Sequence, residues 1–229
     1  MRTCLLLLLC ATPACGDCRL ALALAADVSR SIDAADYIIQ TEGLAAALED
    51  SDIRAAIFGP EGTVALAVYQ WSGSTHQELI QPWLILERPE DLDAAIWAIR
   101  RATRPERRQV TALGAALRYG ADLLAKAPPC ARRVLDVAGD GRNNEGPSVA
   151  SIYARDLFDG ITVNALAIGE HELDVTRYFR DEVIRGPGAF VEIAPRQTDS
   201  PQAIRRKLLR ELEGPQIGLV APAATAGKS

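Results

Sequence analysis

Residues 20–26 read Leu-Ala-Leu-Ala-Leu-Ala-Ala, an apolar run that no polar residue interrupts and that stops abruptly at Asp27. A strand with one wet face alternates polar and apolar residues, so a strand that never alternates is covered on both faces, as at the centre of a parallel sheet. The rest of the chain follows suit. From Leu20 onward, short apolar runs alternate with amphipathic stretches. That is the pattern of an α/β fold in which a doubly wound, mostly parallel sheet carries helices on both faces. No internal repeat interrupts it. A chain of 229 residues with 48% hydrophobic content is large enough to bury one substantial core.

Six strands and their connecting helices can be placed by pattern. After the first strand, Asp33 is set to cap a helix whose Tyr37, Thr41, Leu44 and Leu48 recur every three to four residues and face the sheet. Gly59-Pro60-Glu61-Gly62 is a turn, and residues 63–71 form the second strand. Residues 78–86 form the third, where Pro82 demands a sheet edge and the short connection 72–76 makes the pair antiparallel. Helices are expected at 91–102 and 111–126, on either side of the basic loop 100–108. A fourth strand at 133–138, a helix at 148–158 and a fifth strand at 161–168 come next. The remainder is a helix at 174–184, a turn at Gly186-Pro187-Gly188, a sixth strand at 189–193 and a basic helix at 201–212. The tail, 214–229, has nothing to bury and is expected to be disordered.

The amino terminus has the order of a secretory signal peptide over residues 1–16: Arg2, the apolar run Leu5–Leu9 with Cys10, then small residues and Pro13. It is too short to span a bilayer. Cleavage before Cys15 would suit a lipoprotein, although Thr12-Pro13-Ala14 lacks the leucine expected there, so a lipid anchor at Cys15 is the lesser alternative. The domain proper then covers 17–213 and works in the periplasm or outside the cell. A net charge of −5 and a pI near 5.2 give no basic field, which argues against nucleic acid as a partner. Only two histidines, His76 and His171, are present, which leaves little room for a His-rich metal site or a Ser-His-Asp triad.

The chemistry gathers after the first strand. Asp27, Ser29 and Ser31 stand at its carboxyl end, the place where open α/β sheets bind ligands at a reversal of strand order. If the fourth strand lies beside the first, Asp140, followed by Gly141, reaches the same crevice. These residues resemble the metal-ion-dependent adhesion site of von Willebrand factor type A domains, in which Asp-x-Ser-x-Ser, a loop threonine and a strand-end aspartate bind one divalent cation. The resemblance supplies Thr111 as the threonine and implies that Ser29 and Ser31 ligate directly, with Asp27, Thr111 and Asp140 binding directly or through water. The wording Asp136-Val-Ala-Gly-Asp140-Gly-Arg-Asn-Asn-Glu145-Gly146 and Val183-Ile-Arg-Gly-Pro-Gly-Ala-Phe190 also resembles a bacterial family known as domain of unknown function 1194, over roughly Cys18 to Leu212.

Hydroxyls and carboxylates suit a hard cation such as Mg²⁺, or Mn²⁺, which takes oxygen ligands and keeps some water. Two carboxylates roughly neutralise the ion, and neutral hydroxyls leave it electrophilic enough to accept an acidic side chain from a partner. The expected function is therefore a binding module that grips an exposed acidic residue of an unidentified protein. Arg30 departs from the family, which usually has a small residue between the serines; it either crowds the rim or selects acidic partners. Arg142 and Asn143, in the polar loop after Asp140, are further contact candidates, against the plainer reading of a solvated turn. Asp136, inside the fourth strand, reads as a paired buried carboxylate or one facing a helix end.

A metal-dependent hydrolase at the same strand end is the alternative, but Ser29 stands where an acid would be wanted and lacks an evident base. Nucleotide binding fails for want of a glycine-rich loop after the first strand. The cysteines offer one more expectation. Cys18 precedes Asp27 by nine residues and Cys130 precedes Asp140 by ten. Both then lie at the amino ends of neighbouring strands, where a disulfide would staple the sheet opposite the metal face, the alternative being two free buried thiols.

Overall fold

A computed structural model describes residues 18–105, 110–169 and 174–214. The leader at 1–16, Cys15, His171 and all of the tail but Gly214 lie outside the described residues. Strands β1 (Cys18–Asp27), β2 (Thr63–Trp71), β3 (Gln77–Leu86), β4 (Cys130–Gly139), β5 (Ile161–Ile168) and β6 (Val191–Ala194) form one sheet in the order β3-β2-β1-β4-β5-β6. All neighbours are parallel except β3, which runs antiparallel to β2 at the edge, where the missing N–H of Pro82 is tolerated. Strand order reverses between β1 and β4, so a crevice opens at their carboxyl ends.

The alternation of Leu and Ala in β1 sets the spacing of the two helical layers. Leu20, Leu22 and Leu24 point into a core shared with α1 (Ala34–Glu49), α2 (Ser51–Phe58), α3 (Pro89–Arg101) and α7 (Ser200–Glu213). Ala21, Ala23 and Ala25 point the other way, towards α4 (Leu113–Leu124). Small residues there let α4 come close. The Tyr69 hydroxyl donates to the Ala116 carbonyl at 2.8 Å, and a Cβ on Gly120 would sit 2.7 Å from the side chains of Leu135 and Tyr69. Packed interiors leave no slack for such an atom.

Several element ends differ from expectation for local reasons. The helix begun at Asp33 is capped as expected, Asp33 Oδ1 accepting from the N–H groups of Ala35 and Asp36, but it stops at Glu49 because Asp50 caps a second helix, α2. Its buried stripe runs through Gln40, Gly43, Ala47 and Leu48, with Tyr37, Thr41 and Leu44 half-buried, because α1 packs on α7 as well as on the sheet. The fourth strand is longer than expected, starting at Cys130 and pairing with β1 from Cys18 onward. The 148–158 segment keeps only α5 (Val149–Tyr153). The 174–184 helix is one α turn, α6 (Val175–Tyr178), continued by a wider π turn over Phe179–Val183.

Cys18 and Cys130 are register partners joined by a disulfide, their Cα atoms 4.4 Å apart. At the same end, the Arg19 guanidinium donates to the carbonyls of Leu212, at 3.0 Å, and of Ile57, at 3.2 Å, so it covers the carboxyl ends of α7 and α2. A cation there complements the negative ends of both helix dipoles.

Candidate functional site

Asp27 closes β1, and the next residues leave the sheet without losing contact with it, since the Val28 N–H donates to the Trp71 carbonyl at 2.8 Å. The chain then turns tightly, Ile32 N–H to Ser29 carbonyl at 3.1 Å, before the α1 cap at Asp33. That turn holds Ser29 and Ser31 on one side. The structure brings together all five residues singled out for the site. Thr111 Oγ1 lies 3.3 Å from Ser29 Oγ, Ser29 Oγ lies 3.3 Å from Ser31 Oγ, and the Ser31 hydroxyl donates to Asp140 Oδ1 at 2.8 Å. Asp27 Oδ1 accepts from the Ser29 N–H at 2.7 Å. Asp27, Ser29, Thr111 and Asp140 are each buried, and Ser31 is half-buried.

The electrostatics are those of a crowded anionic pocket. Burial, then the charge of Asp140, push the Asp27 carboxyl up to about 8, against the pull of hydrogen bonds from Ser29 and the Asp140 backbone. Asp27 Oδ2 is buried with no hydrogen-bond partner among the described residues. It faces Gly139, where a Cβ would stand 3.3 Å away, so the strand end leaves that oxygen just enough room. Two carboxylates, one of whose oxygens is buried without a donor, and three hydroxyls fit a hard divalent cation. Among the described residues no group of three His, Cys, Asp or Glu side chains converges.

Other residues set this geometry without belonging to the ligand set. Thr111 is not helical; α4 begins at Leu113, and Thr111 instead exchanges two bonds with Asn144, its N–H to Asn144 Oδ1 and its carbonyl from the Asn144 N–H, both at 2.9 Å. Asn143 commits its amide within the same loop, Oδ1 accepting from Gly114 N–H at 2.9 Å and Nδ2 donating to the Pro147 carbonyl at 3.3 Å. Glu145 accepts from the Ser74 N–H and hydroxyl, tying the loop to the β2–β3 turn. Arg104 donates twice to the Ile32 carbonyl and so joins the loop before Thr111 to the serine turn. Gln40 Nε2 donates to the Asp27 carbonyl at 3.2 Å. In the sequence the signal for the loop is only the polar run Asn143-Asn144-Glu145 after Asp140-Gly141; Arg104 is marked only as part of the basic loop 100–108, which reads as solvated, and nothing local marks Gln40.

Of the rim candidates, Arg30 is exposed beside the serines, and Arg142 is exposed with its guanidinium 5.2 Å from the Tyr178 ring centre. Asp136 lies away from the site and forms a buried ion pair with Lys207.

A parallel sheet in this order, with one antiparallel edge strand and the site at the reversal of strand order, is the fold of von Willebrand factor type A domains. Residues 17–216 match the family described as Protein of unknown function (DUF1194), and the chain belongs to that family. Among solved structures, proximal thread matrix protein 1 from the mussel byssus, with a zinc-occupied MIDAS motif, is similar at a TM-score of 0.59 and 17% identity, over 86% of this chain and 48% of that one. A von Willebrand factor type A structure from Catenulispora acidiphila gives 0.60 and 15% over 86% and 43%. An aerotolerance-related membrane protein from Bacteroides fragilis gives 0.54 and 16% over 82% and 98%. The chain spans less than half the length of the first two. No curated protein matches it.

Proposed function

We propose that this chain is a metal-dependent protein-binding module that holds a Mg²⁺-type cation through Asp27, Ser29, Ser31, Thr111 and Asp140 and grips an acidic side chain of a partner. The observation that carries the reading is the hydrogen-bonded row Thr111–Ser29–Ser31–Asp140 beside a buried Asp27 oxygen that has no donor among the described residues. When bound, the cation supplies a Lewis-acid position for a partner carboxylate. Asp27 and Asp140 offset its charge, the hydroxyls contribute dipoles without further charge, and Arg30 adds a cation at the rim that favours acidic surfaces. A hydrolase would need a base on Ser29, whose hydroxyl neighbours are those of Ser31 and Thr111.

We place this activity in the periplasm or outside the cell, with residues 1–16 as a cleaved leader, 17–213 as the domain and 214–229 as a tail. The Cys18–Cys130 disulfide supports that placement, because such bonds persist in oxidising compartments. The test is Mn²⁺ titration followed by electron paramagnetic resonance, then capture of a glutamate-bearing peptide library on the immobilised protein. Stoichiometric Mn²⁺ uptake, competed by Mg²⁺ and lost in Asp27→Ala, with capture reversed by chelator, is the expected result. Metal-independent capture, or Mn²⁺ uptake unchanged in Asp27→Ala, refutes the reading.

A further inference from the structure

At the other end of the sheet a cavity of about 500 Å³ opens between the first residues of β4 and β5, the loop of Pro187, Gly188 and Phe190, and the last turn of α7. That volume lies within the roughly 300–1,000 Å³ typical of small-molecule sites. Arg132, on its wall, is separated from Asp140 by eight residues along β4, roughly 26 Å of extended strand, so the cavity is distinct from the proposed metal site.

The walls carry both signs of charge: Arg132 and Arg210 on one hand, Glu211 and Glu213 on the other. Glu211 is 1% exposed. Its Oε1 accepts from Asn164 Nδ2 at 3.0 Å and from Lys207 Nζ at 2.6 Å, while Oε2 is buried with no hydrogen-bond partner among the described residues. Lys207 also pairs with Asp136, so one buried ammonium serves two carboxylates. Burial, and then the charge of Asp136, push the Glu211 carboxyl up to about 8, as happens where positive charge is short. The arginines are not spent on carboxylates either. Arg132 Nη2 donates to the Glu211 carbonyl at 2.8 Å, and the Arg210 guanidinium lies 3.8 Å over the Phe190 ring and makes no ion pair among the described residues.

A ligand of one charge would leave half of these walls uncompensated, whereas a small zwitterion satisfies both halves at once. We propose that this cavity binds a free amino acid, its ammonium between the Glu211 and Glu213 carboxyls, its carboxylate on Arg132 and Arg210, and its side chain against Phe190 and Pro187. The site stands independently of the metal reading.

The test is isothermal titration of the full chain at neutral pH with glycine, L-leucine, L-phenylalanine, L-glutamate and L-lysine, and with the N-acetyl and amide forms of whichever binds. At least one amino acid is expected to bind one-to-one with a Kd below about 1 mM, and each one-charge derivative at least about tenfold more weakly. Arg210→Ala, a change at an exposed position of α7, and Glu211→Gln should each weaken binding at least about tenfold. No heat of binding from any of the five at about 10 mM overturns the proposal. So does equal affinity for the one-charge forms, or wild-type affinity in Arg210→Ala, whose fold does not depend on the buried cluster.

Discussion

Replacing Asp27 by Asn should make the metal-free protein more stable at neutral pH, although it removes a ligand of the proposed site. The Asp27 carboxyl ordinarily titrates at 3.8 and in the fold is pushed up to about 8 by burial and by Asp140. A carboxyl raised in the folded state contributes its full stability below the unfolded value, and that stability is lost as pH rises through the folded value. Between the ordinary value and pH 7 lie about three pH units, each equivalent to about 1.4 kcal/mol, so taking up and holding a proton on this carboxyl costs folding on the order of 4 kcal/mol at pH 7 without metal. Asn keeps the shape and needs no proton. Urea unfolding in chelator at pH 4, 5.5, 7 and 8.5 should show the variant ahead by a few kcal/mol at pH 7 and level with wild type near pH 4, at unchanged m. Glu211, raised in the same direction, is common to both proteins and cancels from the difference. With Mg²⁺ at about a hundred times its Kd, wild type should gain about 2.7 kcal/mol and the variant far less. An Asn variant less stable than metal-free wild type at pH 7, or a gap that does not narrow towards pH 4, refutes the reasoning.

Three further outcomes are expected. Asn144→Ala removes one of the two bonds that orient Thr111 and should raise the Mg²⁺ Kd about 10- to 100-fold in calorimetry, with little change in the far-UV spectrum. Cys18→Ser/Cys130→Ser opens a link spanning 112 residues and should cost about 4 to 5 kcal/mol in urea unfolding, while the Mg²⁺ Kd at the distant end stays within about threefold. Lys207→Met leaves Asp136 and Glu211 buried without their ammonium and should cost about 3 to 5 kcal/mol at pH 7, less as pH falls and the carboxyls take up protons.

The strands were legible in the sequence because their burial is written into local composition. Residues 63–71 and 161–168 are strands at the bounds expected of them, and β1 announces itself as doubly covered. Asp27, Ser29 and Ser31 were legible for a related reason, since the end of a central strand marks where a ligand crevice opens. Element ends were harder where a distant partner decides them. Thr111 lies outside α4 because Asn144, 33 residues later, takes its backbone groups. β4 begins early because Cys130 is held to Cys18. Asn143, read as a candidate contact on the strength of its polar loop, has its amide engaged with Gly114 and Pro147, a use that depends on how closely α4 approaches. A Cβ on Gly114 would come within 2.1 Å of the Pro147 carbonyl oxygen, so the glycine is what allows that approach.

The arginine that spans the ends of α2 and α7 has a practical meaning. Arg19 is the second residue of β1, and its guanidinium reaches Leu212, two residues before Gly214, so the described fold is entered and left at one pole. The serine turn and Asp140 occupy the opposite pole. A tether, a reporter protein or a solid support joined at residue 18 or residue 214 would therefore turn the proposed metal pole outward and would stand beside the cavity that Gly214 lines.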